Sequence, residues 1–362
     1  MFWRGKDEPT TADEVFRRLT WISAAILFGL GGLALTYWFR QPLGRPESHF
    51  FAHHDGWVLW ALPMVILALP LLAKGLTLNT DWIFRRQTVW LAAAGVLAVG
   101  VAGVWVVFEN YTLSLDEVMA NFDATIFRSG HLMARIPDQW LPFSEALNPK
   151  FVLETEGRRF VASAYLPVNA LLRAGGQALH ADFLVNPVLA AISVMMTYAV
   201  GRQLWPDNPR RAIAAALILA TSAQFLVLSM TSYAMTAHLA FNMTWLWLYL
   251  KNRRWADAVA ILVGAAACGL HQVVFHPFFV GPFILDLLLN KRWARAGTFI
   301  LAYGVIGLFW ISWWTFDFNV SGARPLTEHA AGANYFINQI AFFLGRGDAG
   351  NFGLMALTWS GS

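Results

Sequence analysis

Charged side chains are scarce in this chain. They make up 13% of its 362 residues, about half of the roughly 25% usual in soluble domains. Cysteine is scarcer still: Cys268 stands alone inside an apolar run, which excludes an intrachain disulfide and a cysteine-based metal cluster. What remains is 57% hydrophobic, with 18 Trp and 28 Phe. Apolar runs approach the ~20 residues that span a bilayer core, so composition points to an all-α polytopic membrane protein. The net charge of +4 would suggest a nucleic-acid partner in a soluble protein. Here the basic residues sit in short loops between apolar runs, where they report topology, and no nucleic acid is expected. The first apolar run is full length and no small-residue cleavage site follows it, so no signal peptide is expected.

Apolar runs set against their bounding charges predict nine spans, at 19–39, 57–76, 88–108, 182–204, 212–230, 233–250, 255–273, 275–290 and 297–316. The run at 275–290 is short and holds Pro277 and Pro282, which favour a kink. Lys and Arg alternate strictly between sides. Sixteen fall in segments on the side of the N-terminus, against ten on the other, eight of them in two long segments where the charge rule has little force. The expected orientation has the N-terminus and basic loops cytoplasmic, with the segment 109–181 and the chain after Trp314 facing outward. The closing "NFGLMALTWSGS" is too short to span, and suggests a chain that continues beyond residue 362. Three parts follow: 1–87, an N-terminal tail with two extra spans; 88–316, a transmembrane core including the outward segment 109–181; and 317–362, an outward loop with the start of a further part.

The outward segment opens with "SLDEVMANFDATIFRSGHLMA", residues 114–134. At 100° per residue, Leu115, Val118, Met119, Phe122 and Ile126 gather into an apolar stripe. Glu117, Asn121 and Arg128 point away, and Asp116 and Asp123 share a flank. Such a helix can rest on a membrane surface with its carboxylates at the water boundary. Ser114 and Glu117 also have capping-box spacing, and acids in a first turn suit the helix dipole. Glu117 therefore has two readings, cap or chemistry. Asp116, which the box does not need, is the better candidate for chemistry.

Farther on, "RRFVASAYLPVNALLRAGGQAL" brings Arg158, Arg159 and Arg173 beside Tyr165 and an apolar surface. Charge for a head and apolar contact for a tail suit a lipid-linked phosphate, though the same residues also serve as interfacial anchors. In "GLHQVVFHPFF", His271 and His276 straddle an expected outward turn. Their spacing of five does not match the one-face spacing of the helical two-His metal motif, but a divalent metal held with a carboxylate from 116–123 is a weak candidate. After Trp314 come Asp317, Arg324, Glu328 and His329, acid, base and phosphate-binding types in a Gly/Pro-containing stretch.

A span followed at once by an outward "SLDE" amphipathic helix, then a long segment with an aromatic-Pro-apolar approach to the next span, "AYLPVNALL", resembles the GT-C superfamily of membrane glycosyltransferases. It is most similar to the protein O-mannosyltransferase and lipid A aminoarabinose transferase type. The resemblance covers roughly 88–330 and implies juxtamembrane helices in the first outward loop. It also implies transfer of a sugar from a polyprenyl-phosphate donor to a lipid, glycan or protein acceptor, outside the cytoplasm. Carried over, Asp116 activates the acceptor or helps bind a metal, Glu117 is its partner, and Arg128, Arg158, Arg159 and Arg324 hold the donor phosphate. Asp123 and Tyr165 join the site. Two spans precede the one that carries the acidic helix, which departs from the family pattern. Without targeting signals or paired cysteines, a bacterial inner membrane is the expected location. The alternatives are a lipid or solute transporter or flippase, and a non-catalytic lipid-binding membrane subunit.

Overall fold

The computed structural model describes residues 21–32, 35, 56–72, 81–147, 152–154 and 159–320. The chain divides into two compact units, residues 80–332 and the remainder. In the smaller, helices α1 (Trp21–Gly32) and α2 (Gly56–Leu72) meet where the rings of Phe28 and Trp60 lie 5.5 Å apart. Gly31 allows the close approach, since a Cβ there would sit 3.1 Å from the Trp60 indole.

The larger unit is mostly helical. Helix α3 (Arg86–Val106) is followed by α4 (Leu115–Arg128), then α5 (Val168–Ala178) and α6 (Val185–Leu204). After these come α7 (Pro209–Ala220), α8 (Ala223–Ser229), α9 (Met235–Leu250), α10 (Arg254–Cys268), α11 (Phe275–Leu289) and α12 (Trp293–Val320). Among the described residues four buried apolar clusters hold them, two of them large. In the first, Val89 and Val96 of α3 pack with Ala190 and Val194 of α6 and Ile213 and Ala216 of α7. Small residues set the spacing, as expected where backbones approach closely in apolar helix pairs: a Cβ on Gly201 would stand 2.8 Å from the Ala212 backbone. The second core gathers Trp245 and Tyr249 of α9, Ala256 and Ala260 of α10, Leu287 of α11 and Phe299 of α12. Trp245 is fully buried and stacks on Tyr249 at 5.0 Å. At one end Arg295 forks onto Asp257, with Nη2 to Oδ1 at 2.6 Å and Nε to Oδ2 at 2.8 Å.

Three helices, Arg86–Val106, Asp182–Leu204 and Trp293–Trp313, are long and apolar enough to cross a membrane. A fourth crossing results if α7 and α8, bent by 62° at Thr221–Ser222, count as one. Nine such helices are therefore not present among the described residues. The expected spans at 233–250, 255–273 and 275–290 are helices, but of only 16, 15 and 15 residues. Turns at Asn252, Gly269–Gln272 and Asn290–Arg292 shorten them.

The predominantly helical fold also carries one small sheet. Within the segment 109–181, strands β1 (Ala134–Arg135), β2 (Val152–Glu154) and β3 (Phe160–Ser163) form an antiparallel sheet in the order β1-β3-β2. Ala134 pairs with Val161, and Val152 with Ser163. Its strands are two to four residues long. The sheet delivers the start of α5 to α4, the packing on which the candidate site is built.

Candidate functional site

Helix α4 begins where the sequence expects a cap. Ser114 is extended, and its Oγ accepts the Glu117 N–H at 3.4 Å. The reciprocal bond runs one residue beyond the usual box, with Leu113 N–H donating to Glu117 Oε1 at 3.3 Å. The other oxygen of Glu117 reaches the turn before α9, where Ser232 N–H donates to Oε2 at 2.8 Å. Both carboxylate oxygens are thus occupied by backbone amides, and the side chain is 3% exposed. Glu117 is a tie between a helix end and a distant turn.

The expected membrane-facing stripe divides. Met119 and Ile126 are buried, but Leu115 and Val118 are 40% and 37% exposed. The buried face instead carries Glu117 and Asp123, because backbone donors wait there. Asp123 Oδ1 accepts the Ser163 N–H of β3 at 3.0 Å, so a buried carboxylate fixes the sheet to the helix.

Asp116 lies one residue before Glu117, rotated 100° around the helix, and is partly buried. Tyr165 donates its phenol hydrogen to Asp116 Oδ1. Burial first, then the bond to Asp116, pushes the Tyr165 pKa up, so the phenol remains a donor. The Tyr165 ring stands edge-on to His271, centroids 4.9 Å apart. Asp116, Asp123, Tyr165, Asn169, Tyr233 and His271 line a cavity of about 20 Å³, room for about one water. Two buried acceptors or donors in this group lack a protein partner, Asn169 Oδ1 and His271 Nδ1. Burial lowers the His271 pKa and the nearby Asp116 acts against it, so the ring is mainly neutral at pH 7. The chemistry within reach is proton exchange with a hydroxyl, with Asp116 as acceptor and His271 and Tyr165 orienting it.

The expected histidine pair is split. His271 belongs to this group, whereas His276 is buried in α11 with Nδ1 on Asn242 Oδ1 and Nε2 on Tyr303 Oη, both at 2.7 Å. With both ring nitrogens engaged, His276 is a core polar group. Among the described residues no cluster of three His, Cys, Asp or Glu side chains has metal-site geometry.

Of the arginines expected at a donor phosphate, Arg128 and Arg159 are exposed, while Arg158 and Arg324 lie outside the described residues. Asp317 and the residues after it supply no described side chain. The arginine the sequence undervalued is Arg173, 3% exposed on α5. Its Nη2 donates to Asn186 Oδ1 at 3.2 Å and to the Thr231 carbonyl at 3.4 Å, and its Nη1 to Asn121 Oδ1 at 3.5 Å. The available signal was its i+4 spacing from Asn169, which puts two polar residues on one face of an amphipathic helix.

No family model, curated protein or solved structure matches the chain.

Proposed function

We propose that the chain is a membrane glycosyltransferase that moves a sugar from a polyprenyl-phosphate donor to a hydroxyl-bearing acceptor. The observation that carries this reading is the contrast between neighbouring acids. Glu117 is saturated by backbone amides, while Asp116 is held by one phenol at the wall of a cavity.

In the proposed reaction the Asp116 carboxylate takes the acceptor's hydroxyl proton. The acceptor oxygen bonds to the anomeric carbon, and the bond from that carbon to the polyprenyl phosphate breaks, its electron pair leaving with the phosphate. Exposed Leu115 and Val118 beside Asp116 suit contact with an apolar tail. The acceptor is a lipid, glycan or protein. The topology proposed with this reading has nine spans, the N-terminus in the cytoplasm and residues 109–181 in the periplasm of a bacterial inner membrane.

A second reading, passage of a lipid or solute, draws on the 62° break between α7 and α8, since interrupted helices line many transport sites. A non-catalytic lipid-binding subunit would share the apolar surface and lose the chemistry.

Membranes containing wild type, Asp116→Asn or Glu117→Gln, supplied with labelled polyprenyl-phosphate sugars, separate these readings. Sugar transfer should fall at least 100-fold in Asp116→Asn at unchanged protein level, on the usual scale of acid–base catalysis. Equal transfer by wild type and Asp116→Asn places the chemistry elsewhere. Absence of transfer in wild type, with movement of the lipid itself between leaflets, favours passage.

A further inference from the structure

Helix α9 starts close to Glu117, just after Ser232, and ends about 24 Å away at 1.5 Å per residue. At that far end two turns lie side by side. The turn after α9 holds Lys251, Asn252 and Arg253, and the turn after α11 holds Asn290, Lys291 and Arg292. Asn252 Oδ1 joins them, accepting from Arg292 Nη2 and, at 3.1 Å, from Arg295 Nη1 of α12. Both turns pass through left-handed backbone, at Asn252 (φ 52°) and Lys291 (φ 57°). Asparagine tolerates that conformation, and lysine adopts it at a cost in strain.

This end carries six basic residues, Lys251, Arg253, Arg254, Lys291, Arg292 and Arg295, against two acids, Asp257 and Asp286. Both acids are engaged. Arg295 forks onto Asp257, and Asp286 Oδ1 accepts from Asn290 Nδ2 at 2.8 Å. The adjoining α6–α7 turn is tied in by Gln203 Nε2, which donates to the Trp247 carbonyl at 3.0 Å. It adds Arg202 and Arg211 against Asp207, while Arg210 pairs with Asp81 at 2.6 Å. Among the described residues no carboxylate forms an ion pair with Arg253, Arg254 or Lys291, and all three are exposed.

Aromatic rings border these cations. Lys251 Nζ lies over the Trp247 ring at 4.1 Å and 6.0 Å from that of Trp255. Trp255 and Trp293, in the first turns of α10 and α12, are exposed, and indoles favour the headgroup level of a bilayer. Farther along, the exposed faces become aliphatic. Val259 and Leu262 continue the Trp255 face of α10, and Ile300 and Leu301 the Trp293 face of α12, at helical spacing. A free anion needs only the charges. Cations bordered by indoles and then by aliphatic side chains match a phosphate that carries acyl chains.

We infer that the paired turns bind the headgroup of an anionic phospholipid, with Arg253, Arg254 and Lys291 as counter-charges to its phosphate and Trp255 and Trp293 against the start of its acyl chains. The site lies at the opposite end of α9 from Asp116 and does not rest on the sugar-transfer reading.

The test uses the full chain in a non-ionic maltoside detergent, with melting followed by tryptophan fluorescence. Phosphatidylglycerol is titrated in one arm, phosphatidylcholine with the same acyl chains in a second, and inorganic phosphate in a third, at constant ionic strength. A triple variant, Arg253→Gln with Arg254→Gln and Lys291→Gln, removes the unpaired cations and leaves the bonds at Asn252, Asp257 and Asp286 in place.

Near saturation, phosphatidylglycerol should raise the wild-type midpoint by roughly 2 °C or more above the phosphatidylcholine arm, and the triple variant should lose that difference. If the triple variant does not fold, Lys291→Glu carries the comparison, with the difference roughly halved. Equal rises with the two lipids overturn the inference, because acyl chains alone then account for binding. An equal rise with inorganic phosphate overturns the lipid as occupant in favour of a free anion. A wild type unmoved in every arm, or a difference that survives in the variant, overturns the site itself.

Discussion

Replacing Glu117 should cost far more stability than replacing Asp116, although the two are adjacent in the first turn of one helix. The Ser232 N–H to Glu117 Oε2 bond is 2.8 Å long, and a hydrogen bond to a charged group contributes about 1.5–3 kcal/mol. The longer bond from Leu113, 3.3 Å, adds roughly 0.5–1 kcal/mol. Loss of a first-turn negative charge removes a further ~0.5 kcal/mol of dipole interaction. Glu117→Ala should therefore destabilise by about 3–4 kcal/mol. In Glu117→Gln a carbonyl still accepts from Ser232 while an NH2 opposes the Leu113 N–H, so that variant should lose about half as much.

Asp116→Asn keeps an acceptor for Tyr165 and forfeits little beyond the dipole contribution, under ~1 kcal/mol. For a unit of this size 1 kcal/mol shifts the melting midpoint by roughly 2–4 °C. Glu117→Ala should then melt roughly 6–16 °C below wild type, and Asp116→Asn within roughly 4 °C of it. Tryptophan fluorescence of the solubilised full chain, which has 18 reporters, measures both. If Asp116→Asn melts as low as Glu117→Ala, the assignment of cap to one acid and open site to the other is wrong. If Glu117→Ala melts with wild type, the tie to Ser232 contributes nothing.

His271, in the turn between α10 and α11, supplies a pH signature. Its folded pKa lies below the usual ~6.5 of the unfolded chain, so on acidification the unfolded state takes up the proton first. The associated stability is present above that unfolded value and is lost as pH falls through it toward the folded one. The melting-point difference between wild type and His271→Gln should shift against wild type from pH 7.5 to pH 5; a shift in wild type's favour would contradict the burial. Helix spacing gives the last prediction. Gly201→Ala puts a Cβ 2.8 Å from the backbone of Ala212, which only separation of α6 and α7 relieves, at about 1–3 kcal/mol. Gly103→Ala has the flexible side chain of Met230 as its nearest neighbour and should cost less in the same unfolding assay; the reverse order would show that α6 and α7 have slack.

Local signals in the sequence were legible where one helix or one cap decides the structure. The long apolar run at 88–108 appears as Arg86–Val106, and that at 182–204 matches Asp182–Leu204. The Ser114 cap forms as its spacing indicates. The break within 212–230 also left a trace, for Ser222 caps α8 by accepting the Phe225 N–H at 3.5 Å. Hydrophobicity alone did not show it, because apolar content continues through the bend. The small sheet was hidden for a different reason. Strands of two to four residues are too short to establish an alternating pattern.

Burial of individual polar groups was the least legible property, since it depends on partners far along the chain. Arg173 meets Asn186, Thr231 and Asn121, which lie 13, 58 and 52 residues away. Read locally, it resembled the exposed Arg128 and Arg159. Glu117 likewise looked like any capping-box acid until its bond to Ser232, 115 residues distant.

The turn at Ser232 explains why two adjacent acids can differ so much. Its N–H holds Glu117, and its carbonyl accepts from Asn169 Nδ2 at 3.2 Å, so one residue anchors both α4 and α5. Asp116 lines the small cavity with Asn169, and Glu117 lines a larger one with Arg173. The 100° between successive helix positions is enough to send neighbours to different chambers. The backbone bonds that immobilise Glu117 also fix the first turn of α4, and with it the direction in which Asp116 points. A catalytic role for Asp116 therefore requires Glu117 as support, and losing the support should impair transfer through position and stability together, whereas Asp116→Asn separates the two.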